Sequence, residues 1–156
     1  LHDALPIFCY LLDQLVEAFG YEEPSLDEIF EVLEKISPQI AEYGTFNYCL
    51  SNGKALFSYA ITKLHWLVRE YPFNQAHLID LDVEVDFSQV TTPEDRVAVI
   101  TTEPLTHNEN WTAYQPGEMI LFQHGKPIKK AITHVERLKR EHENPELKRI
   151  TRADQY

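Results

Sequence analysis

The chain has 156 residues, of which 44% are apolar and 25% are charged, and its formal net charge is −11. This length and composition describe one globular domain with a hydrophobic core that needs no disulfides, and no apolar run approaches the ~20 residues of a membrane helix. The two cysteines, Cys9 and Cys49, are too few for a four-thiolate zinc site. We therefore expect a cytoplasmic protein that does not bind membranes.

The charge is unevenly distributed along the chain. Residues 126–156 carry nine basic and five acidic side chains, whereas residues 1–125 carry five basic and twenty acidic ones. An acidic body repels the phosphate backbone of nucleic acids, so we expect no nucleic-acid partner. The basic end could attract an acidic partner or the chain's own body, but a solvated helix is the simpler interpretation.

The first third of the chain shows helical periodicity. Apolar residues recur every three to four positions and predict a helix over Phe8–Phe19. Ser25 and Glu28 form a capping-box pattern that predicts the start of a second helix. Pro38 lacks an N–H and disfavours helix at Ser37, so we expect a break there. The predicted apolar stripes comprise Phe8, Leu11, Leu12, Leu15, Val16 and Phe19 in the first helix, and Leu26, Ile29, Phe30, Leu33 and Ile36 in the second.

After Gly44 the periodicity changes to that of strands. Asn52-Gly53 lies between two strand-like runs, Thr45–Leu50 and Ala55–Ala60, and predicts a hairpin because both turn residues tolerate positive φ. His124-Gly125 predicts a second hairpin in the same way. Further strands are expected at Leu64–Arg69, Leu78–Phe87, Arg96–Thr102 (buried), Glu118–Gln123 and Lys126–Ile128.

A charged helix is predicted from Lys129 to Glu143, ended by Asn144-Pro145. The element order is then two helices, about six strands and a helix. Because helices and antiparallel strands are segregated along the chain, the fold class is α+β, with a largely antiparallel sheet and two packed helices. Two helices on one sheet face would form half of a layered sandwich.

No catalytic, cofactor-binding or metal-binding residue is predicted from motifs. The carboxylates of Asp80, Asp82, Glu84 and Asp86 alternate with apolar residues, and the run lacks the glycine and glutamate that a helix–loop–helix calcium site requires. They are expected on the solvent face of a strand. The seven histidines show no ligand spacing, and neither cysteine is flanked by cations that would activate a thiol.

One polar loop, residues 101–111, is the candidate site. It follows the predicted strand Arg96–Thr102, and loops at strand ends are where binding residues gather. The alternative is a structural loop whose side chains bond to its own backbone. The candidate residues are Thr102, Glu103, Asn108, Glu109 and Trp111.

Several motifs in register resemble the C-terminal portion of the class II glutamine amidotransferases. They are Gly44-Thr45-Phe46-Asn47-Tyr48-Cys49-Leu50-Ser51-Asn52-Gly53, Thr62-Lys63-Leu64-His65-Trp66, Asp86-Phe87, Thr91-Thr92-Pro93-Glu94-Asp95, Pro104-Leu105-Thr106, Asn108-Glu109, Trp111 and Pro116-Gly117-Glu118. The resemblance covers about Phe8 to Ile128.

The resemblance implies an N-terminal-nucleophile hydrolase with an αββα sandwich, of which this chain would be a part. In that family an N-terminal cysteine attacks the carboxamide of glutamine. Ammonia leaves first, and water then frees glutamate. The family's nucleophile and glutamine-binding residues lie before the region that this sequence matches, and Cys9 does not match the nucleophile. We therefore expect this chain to be inactive alone and to need no cofactor.

The expected organisation has three parts. Residues 1–7 match nothing in the family but match the translation of a common sequencing adapter, so we expect them to be non-native; a short native extension is the alternative. Residues 8–128 would be the C-terminal part of the amidotransferase domain, and residues 129–156 a charged helical tail.

Two other functions stay open at this point. One is a γ-glutamyl amide hydrolase of the ergothioneine-pathway kind, and the other is a non-catalytic interaction module. The expected ligand of the full-length protein is glutamine or a γ-glutamyl compound, with a second copy or a synthase as further partners.

Overall fold

The computed structural model describes residues 4–73, 76–77, 84–85 and 92–144. Within these residues the chain forms three α-helices and nine β-strands, and every strand pair is antiparallel. The α+β class is therefore confirmed. The chain divides into two compact units, residues 1–45 with 133–156 and residues 46–132. The first unit holds the helices and the second holds the strands.

The helices of the first unit are α1 (Ala4–Phe19), α2 (Leu26–Ala41) and α3 (Glu136–Glu143). Helix α1 packs against α2 and begins four residues before the predicted start. The predicted capping box is confirmed at α2. The Oγ of Ser25 accepts a hydrogen bond from the backbone N of Glu28 at 3.3 Å, and the Glu28 carboxylate accepts one from the backbone N of Ser25 at 2.8 Å.

The expected break at Pro38 is wrong, because α2 runs through it to Ala41. Ile36, Ser37 and Ala41 are buried. The buried Ser37 hydroxyl donates to the carbonyl of Leu33 at 2.7 Å. Burial of the last turn outweighs the hydrogen bond that Pro38 cannot make, since tertiary packing supplies most of the stability of a helix in a protein.

An arginine of α3 closes the C-terminal end of α2. Arg137 is buried, and its Nε donates to the carbonyl of Ala41 at 2.8 Å while its Nη2 donates to that of Gly44 at 3.2 Å. Its Nη1 pairs with Glu141 at 2.7 Å, and its backbone N donates to Glu42 at 3.0 Å. The last carbonyls of a helix have no intrahelical donor, so this guanidinium satisfies acceptors that α2 leaves open.

The described strands of the second unit form three sheets. Their order is β1-β2-β8-β9 in the first, β6-β3-β7 in the second and β4-β5 in the third. The strands are β1 (Asn47–Ser51), β2 (Leu56–Ala60), β3 (His65–Glu70), β4 (Ala76–His77), β5 (Glu84–Val85), β6 (Arg96–Thr101), β7 (Thr112–Ala113), β8 (Glu118–Gln123) and β9 (Lys126–Ile132).

The core of this unit lies along β2 and β8, which are the central strands of the four-stranded sheet. Phe57, Tyr59 and residues 118–122 are buried on both faces of the sheet. Ser58 lies among them, and its hydroxyl bonds the phenol oxygen of Tyr114 at 2.7 Å and the carbonyl of Ile120 at 3.1 Å. The one polar side chain at the centre of β2 is thereby satisfied.

Asn47 connects the start of β1 to the turn after β2. Its Oδ1 accepts from the backbone N atoms of Ile61 and Thr62 at 2.9 and 3.0 Å. Its Nδ2 donates to the hydroxyl of Thr62 at 2.8 Å and to the carbonyl of Lys63 at 3.2 Å. All of these bonds link residues fourteen or more positions apart, so one side chain fixes the register of β1.

Both predicted hairpins are present, with different turn geometries. His124 and Gly125 have φ of 50° and 71°, whereas in the first hairpin only Gly53 has positive φ, at 82°. Asn52 instead uses its side-chain oxygen to accept from the backbone N atoms of Lys54 and Ala55 at 3.0 and 3.1 Å. The first turn is therefore stabilised by an asparagine side chain and the second by backbone geometry.

The predicted helix start at Lys129 is wrong, because Lys129–Ile132 belongs to β9. Exposure alternates along β9 in register with β8, which overrides the helical spacing of Ile132, Val135 and Leu138. The helical part of the predicted tail begins only at Glu136.

Two further strand predictions differ from the structure. The predicted burial of Arg96–Thr102 is wrong. Among the described residues β6 pairs with β3 on one side only, and Val97 is 48% exposed. Of the predicted strand Leu78–Phe87 only Glu84–Val85 is described, paired with Ala76–His77. Asp80, Asp82 and Asp86, like Pro145 and the residues after it, lie outside the described residues.

We predict that Gly125→Ala destabilises the protein more than Gly53→Ala. Both glycines have positive φ, so alanine costs about 1–2 kcal/mol at either position. At Gly125 an added Cβ would also lie 2.7 Å from the backbone oxygen of Arg96, whereas at Gly53 it meets no atom within 4 Å. Urea unfolding of the two variants measures the difference, and equal midpoints would contradict the prediction.

We also predict that Arg137→Met lowers the free energy of unfolding by about 2–3 kcal/mol, because hydrogen bonds of a charged, buried donor are lost. Arg140→Met is the matched control. Arg140 pairs with Glu42 at 2.8 Å but its side chain is 61% exposed, so its loss should cost below about 1 kcal/mol. If Arg140→Met lowered the free energy of unfolding as much as Arg137→Met does, the hydrogen bonds of Arg137 to the end of α2 would not be the cause of the loss.

Candidate functional site

The polar loop predicted from the sequence connects β6 to β7 in the strand unit, and its first residues lie beside the start of β3. The hydroxyl of Thr101 donates to the carbonyl of Glu103 at 2.7 Å. The Nδ1 of His65 lies 3.0 Å from the carbonyl of Thr102, and Lys63 pairs with Glu103 at 2.7 Å. Both side chains of that ion pair are more than half exposed, so it contributes little to stability.

The second half of the loop is held by an ion pair with β3. The Nε and Nη2 of Arg69 donate to the two carboxylate oxygens of Glu109 at 2.7 and 2.6 Å. This bidentate geometry is the strong form of an arginine–carboxylate pair. The side chains are only 19% and 14% exposed, so water screens the pair much less than it screens Lys63 and Glu103.

Two further side chains extend this network into the loop. Thr106 is buried, and its hydroxyl donates to the Glu109 carboxylate at 2.5 Å. The indole Nε1 of Trp111 donates to the same hydroxyl at 3.0 Å. A chain of hydrogen bonds therefore runs from Trp111 through Thr106 and Glu109 to Arg69, and it connects the loop to a strand forty residues earlier.

The electrostatics of Glu109 follow from these contacts. The hydrogen bonds from Arg69 hold the pKa of Glu109 below its ordinary value, with the Thr106 hydroxyl adding to the effect and partial burial opposing it. The carboxylate is ionised at neutral pH and its two oxygens accept three hydrogen bonds. Those bonds suit Glu109 to fixing the loop rather than to accepting a proton from a substrate.

A cavity of about 230 Å³ opens beside this ion pair, at the end of β3. Its lining includes Arg69, Phe73, Asn108, Glu109 and Asn110. The arrangement could admit a small polar molecule.

The structure does not bring the five predicted site residues together. Asn108 and Glu109 line the cavity, Trp111 joins the network through Thr106, and Thr102 and Glu103 lie at the opposite end of β3. Sequence reasoning missed Arg69 and Thr106. Thr106 lies inside the predicted loop, but no sequence pattern links Arg69 to Glu109.

Neither cysteine shows the surroundings of a nucleophile. Cys9 and Cys49 are free and exposed. Although Cys49 is exposed as a residue, its neighbours partly desolvate the sulfur and raise the pKa of the thiol. An activated thiol needs the opposite shift, because the thiolate is the reactive form.

The part of the chain that the structure describes contains no group of three or more His, Cys, Asp or Glu side chains that could hold a metal ion. Within the same residues, no helix has both the length and the apolar character that crossing a bilayer requires.

We predict that Glu109→Gln weakens the dependence of stability on acid. Because the pKa of Glu109 is lowered in the folded state, its ionised form stabilises the fold above the unfolded pKa of about 4.3, and that stability is lost as the pH falls through the folded value. The variant should therefore be less stable at pH 7 and show a smaller further loss between about pH 5 and pH 2. Urea midpoints measured across this range test the expectation.

Glu103→Gln is the control for this prediction, because Glu103 is also paired but exposed. Its stability at pH 7 should match that of the parent chain, because water screens an exposed ion pair. A Glu109→Gln variant with the same acid dependence as the parent chain would contradict the role of the Arg69 pair.

Comparison with known proteins identifies the family. The profile of the family described as glutamine amidotransferases class-II matches residues 2–146, beyond the Ile128 limit of the sequence resemblance. A Haemophilus influenzae protein named "Putative glutamine amidotransferase" is 41% identical over 130 residues, which are 83% of this chain and 44% of that protein. The Escherichia coli protein named "Putative glutamine amidotransferase YafJ" is 40% identical over 126 residues, which are 81% of this chain and 49% of that protein.

A solved structure supports the same assignment. The crystal structure of a predicted glutamine amidotransferase from Pseudomonas aeruginosa PA01 superimposes with a TM-score of 0.70 at 38% identity, covering 83% of this chain and 51% of that one. The chain thus spans about half the length of the relatives that it matches. It belongs to the class II glutamine amidotransferase family.

Proposed function

We propose that this chain is the C-terminal portion of an enzyme that hydrolyses the side-chain amide of glutamine and releases ammonia. The observation that carries the proposal is the family match over residues 2–146, at about 40% identity to relatives named as amidotransferases. Glutamine is the substrate that the family name implies. Its γ-carboxamide is the group that the enzyme attacks.

The proposed chemistry is covalent catalysis by an N-terminal cysteine. The thiolate adds to the carboxamide carbon, backbone and side-chain donors stabilise the resulting oxyanion, and ammonia leaves to give a γ-glutamyl thioester. Water then attacks the thioester, releases glutamate and returns the thiol. The terminal α-amine of the cysteine serves as the base, so the nucleophile must be the first residue of the mature enzyme.

The cysteines of this chain do not meet that requirement. Cys9 lies within α1, where its backbone N is part of a helix rather than a free amine. Cys49 lies in β1, and its pKa is raised rather than lowered. We therefore propose that the nucleophile is supplied by the complete protein outside these residues. Free, exposed cysteines are also compatible with a reducing cytoplasm.

The contribution that we propose for the present residues is a rigid support for the site. Asn47, the Arg69–Glu109 pair and the buried strands β2 and β8 fix the ends of the strands and the loops between them. Active sites need such support, because a displacement of about 1 Å in a reacting group can lower the rate by about a hundredfold.

We predict that the 156-residue chain releases no ammonia from glutamine above the uncatalysed background, whereas the complete gene product does. Ammonia release is followed with a coupled glutamate dehydrogenase assay. Replacing the first cysteine of the mature complete protein by alanine should abolish its activity. Cys9→Ala and Cys49→Ala in the complete protein should leave kcat within about twofold, because neither thiol takes part in the chemistry.

Two results would contradict the proposal. One is glutaminase activity of the 156-residue chain that Cys9→Ala or Cys49→Ala removes. The other is a complete gene product, folded by circular dichroism, that releases no ammonia from glutamine.

A further inference from the structure

Within the part of the chain that the structure describes, helix α1 keeps several apolar side chains exposed on one face. Leu11 is 2% exposed. Phe8, Leu12 and Val16 are 47%, 39% and 64% exposed. Their spacing of four residues places these three side chains on one face of the helix. We call them the outer stripe of α1.

The outer stripe is larger than isolated surface apolar residues would explain. Single exposed leucines are common on protein surfaces, but a contiguous row of three large apolar side chains along about two turns marks an interaction surface. Phe8, Leu12 and Val16 also belong to the apolar stripe that helical periodicity predicts for this helix. The sequence is therefore patterned for a partner on this face as well as for the packing of α1 against α2.

Charge disfavours a second copy of the chain as that partner. The charged residues of α1 are Asp13 and Glu17, with no basic residue among its sixteen. Apposing two such helices would bring acid against acid, and the formal charge of −11 adds to the repulsion.

The length of the matched relatives favours a different partner for the outer stripe. This chain covers 44% and 49% of two relatives and 51% of the solved relative, so about half of each of those proteins lies outside the matched region. A polypeptide of that size would be joined covalently to this one in the complete protein. Its effective concentration at α1 would exceed that of any separate molecule.

We infer that the outer stripe of α1 is the surface on which the rest of the complete protein packs. This inference rests on the proposed function only in assuming that a longer parent protein exists. It gives α1 two packing faces, with α2 on one and the remaining polypeptide on the other. Residues 8–16 would then be required for assembly of the enzyme rather than for its chemistry.

The experiment compares the same substitutions in two lengths of the protein. Val16→Ser and Phe8→Ser are introduced into the 156-residue chain and into the complete gene product. Tyr21→Ser is the matched control, because Tyr21 is fully exposed and lies outside α1. Thermal unfolding by circular dichroism gives Tm for each variant, and light scattering gives the oligomeric state.

We expect each stripe variant to lower Tm by about 4 °C or more in the complete protein and by less than about 1 °C in the 156-residue chain. Tyr21→Ser should change neither. Equal shifts of Tm in the two lengths would overturn the inference. So would a dimeric 156-residue chain that Val16→Ser converts to a monomer, since the stripe would then be a self-association surface.

Ammonia release by the wild-type complete protein separates this inference from the proposed function. Activity together with equal Tm shifts in the two lengths would refute the docking surface alone. A length-dependent effect of the stripe variants in a complete protein without glutaminase activity would refute the proposed function alone.

Discussion

The antiparallel pairing of β2 with β8 is the constraint on which the strand unit depends. It joins residues 56–60 to residues 118–122, and nine of those ten residues are buried. Strands buried on both faces leave no route to water for a polar group, so Ser58 must find its partners inside, at Tyr114 and Ile120. Burial correspondingly raises the pKa of Tyr114 well above its ordinary value and keeps the phenol neutral. The flanking strands β1 and β9 then pair with the outer sides of β2 and β8.

The polar loop between β6 and β7 is held in place by contacts among its own side chains and with β3. Its most buried charges, Arg69 and Glu109, satisfy each other, and Thr106 and Trp111 complete the hydrogen bonding. Such a network keeps a long connection between two strands in one conformation. In the function that we propose, the nucleophile lies outside these residues, and the loop serves as a fixed support rather than as a reacting group.

Local patterns predicted local structure well in this chain. The capping box at Ser25 and the hairpin at His124-Gly125 depend on residues within a few positions of each other, and both were found. Predictions that depended on distant neighbours succeeded less often. Pro38 stays helical because the last turn of α2 is buried, and Lys129 lies in a strand because β8 is beside it. The partners of Glu109 and Ala41, Arg69 and Arg137, are 40 and 96 residues away, and no sequence spacing encodes those pairs.

The contrast between the two hairpin turns has a consequence for how this domain can be modified. The turn at Gly53 lies in open space, and its flanking strands β1 and β2 are joined by a complete register of pairs. The turn at Gly125 instead approaches the backbone of Arg96, so its shape is coupled to the start of β6. The first turn is thus a permissive position for a tag, a fluorophore or an inserted domain, and also for the new termini of a circular permutant. The second turn does not tolerate such changes, because a different loop length would displace β6, a strand of another sheet.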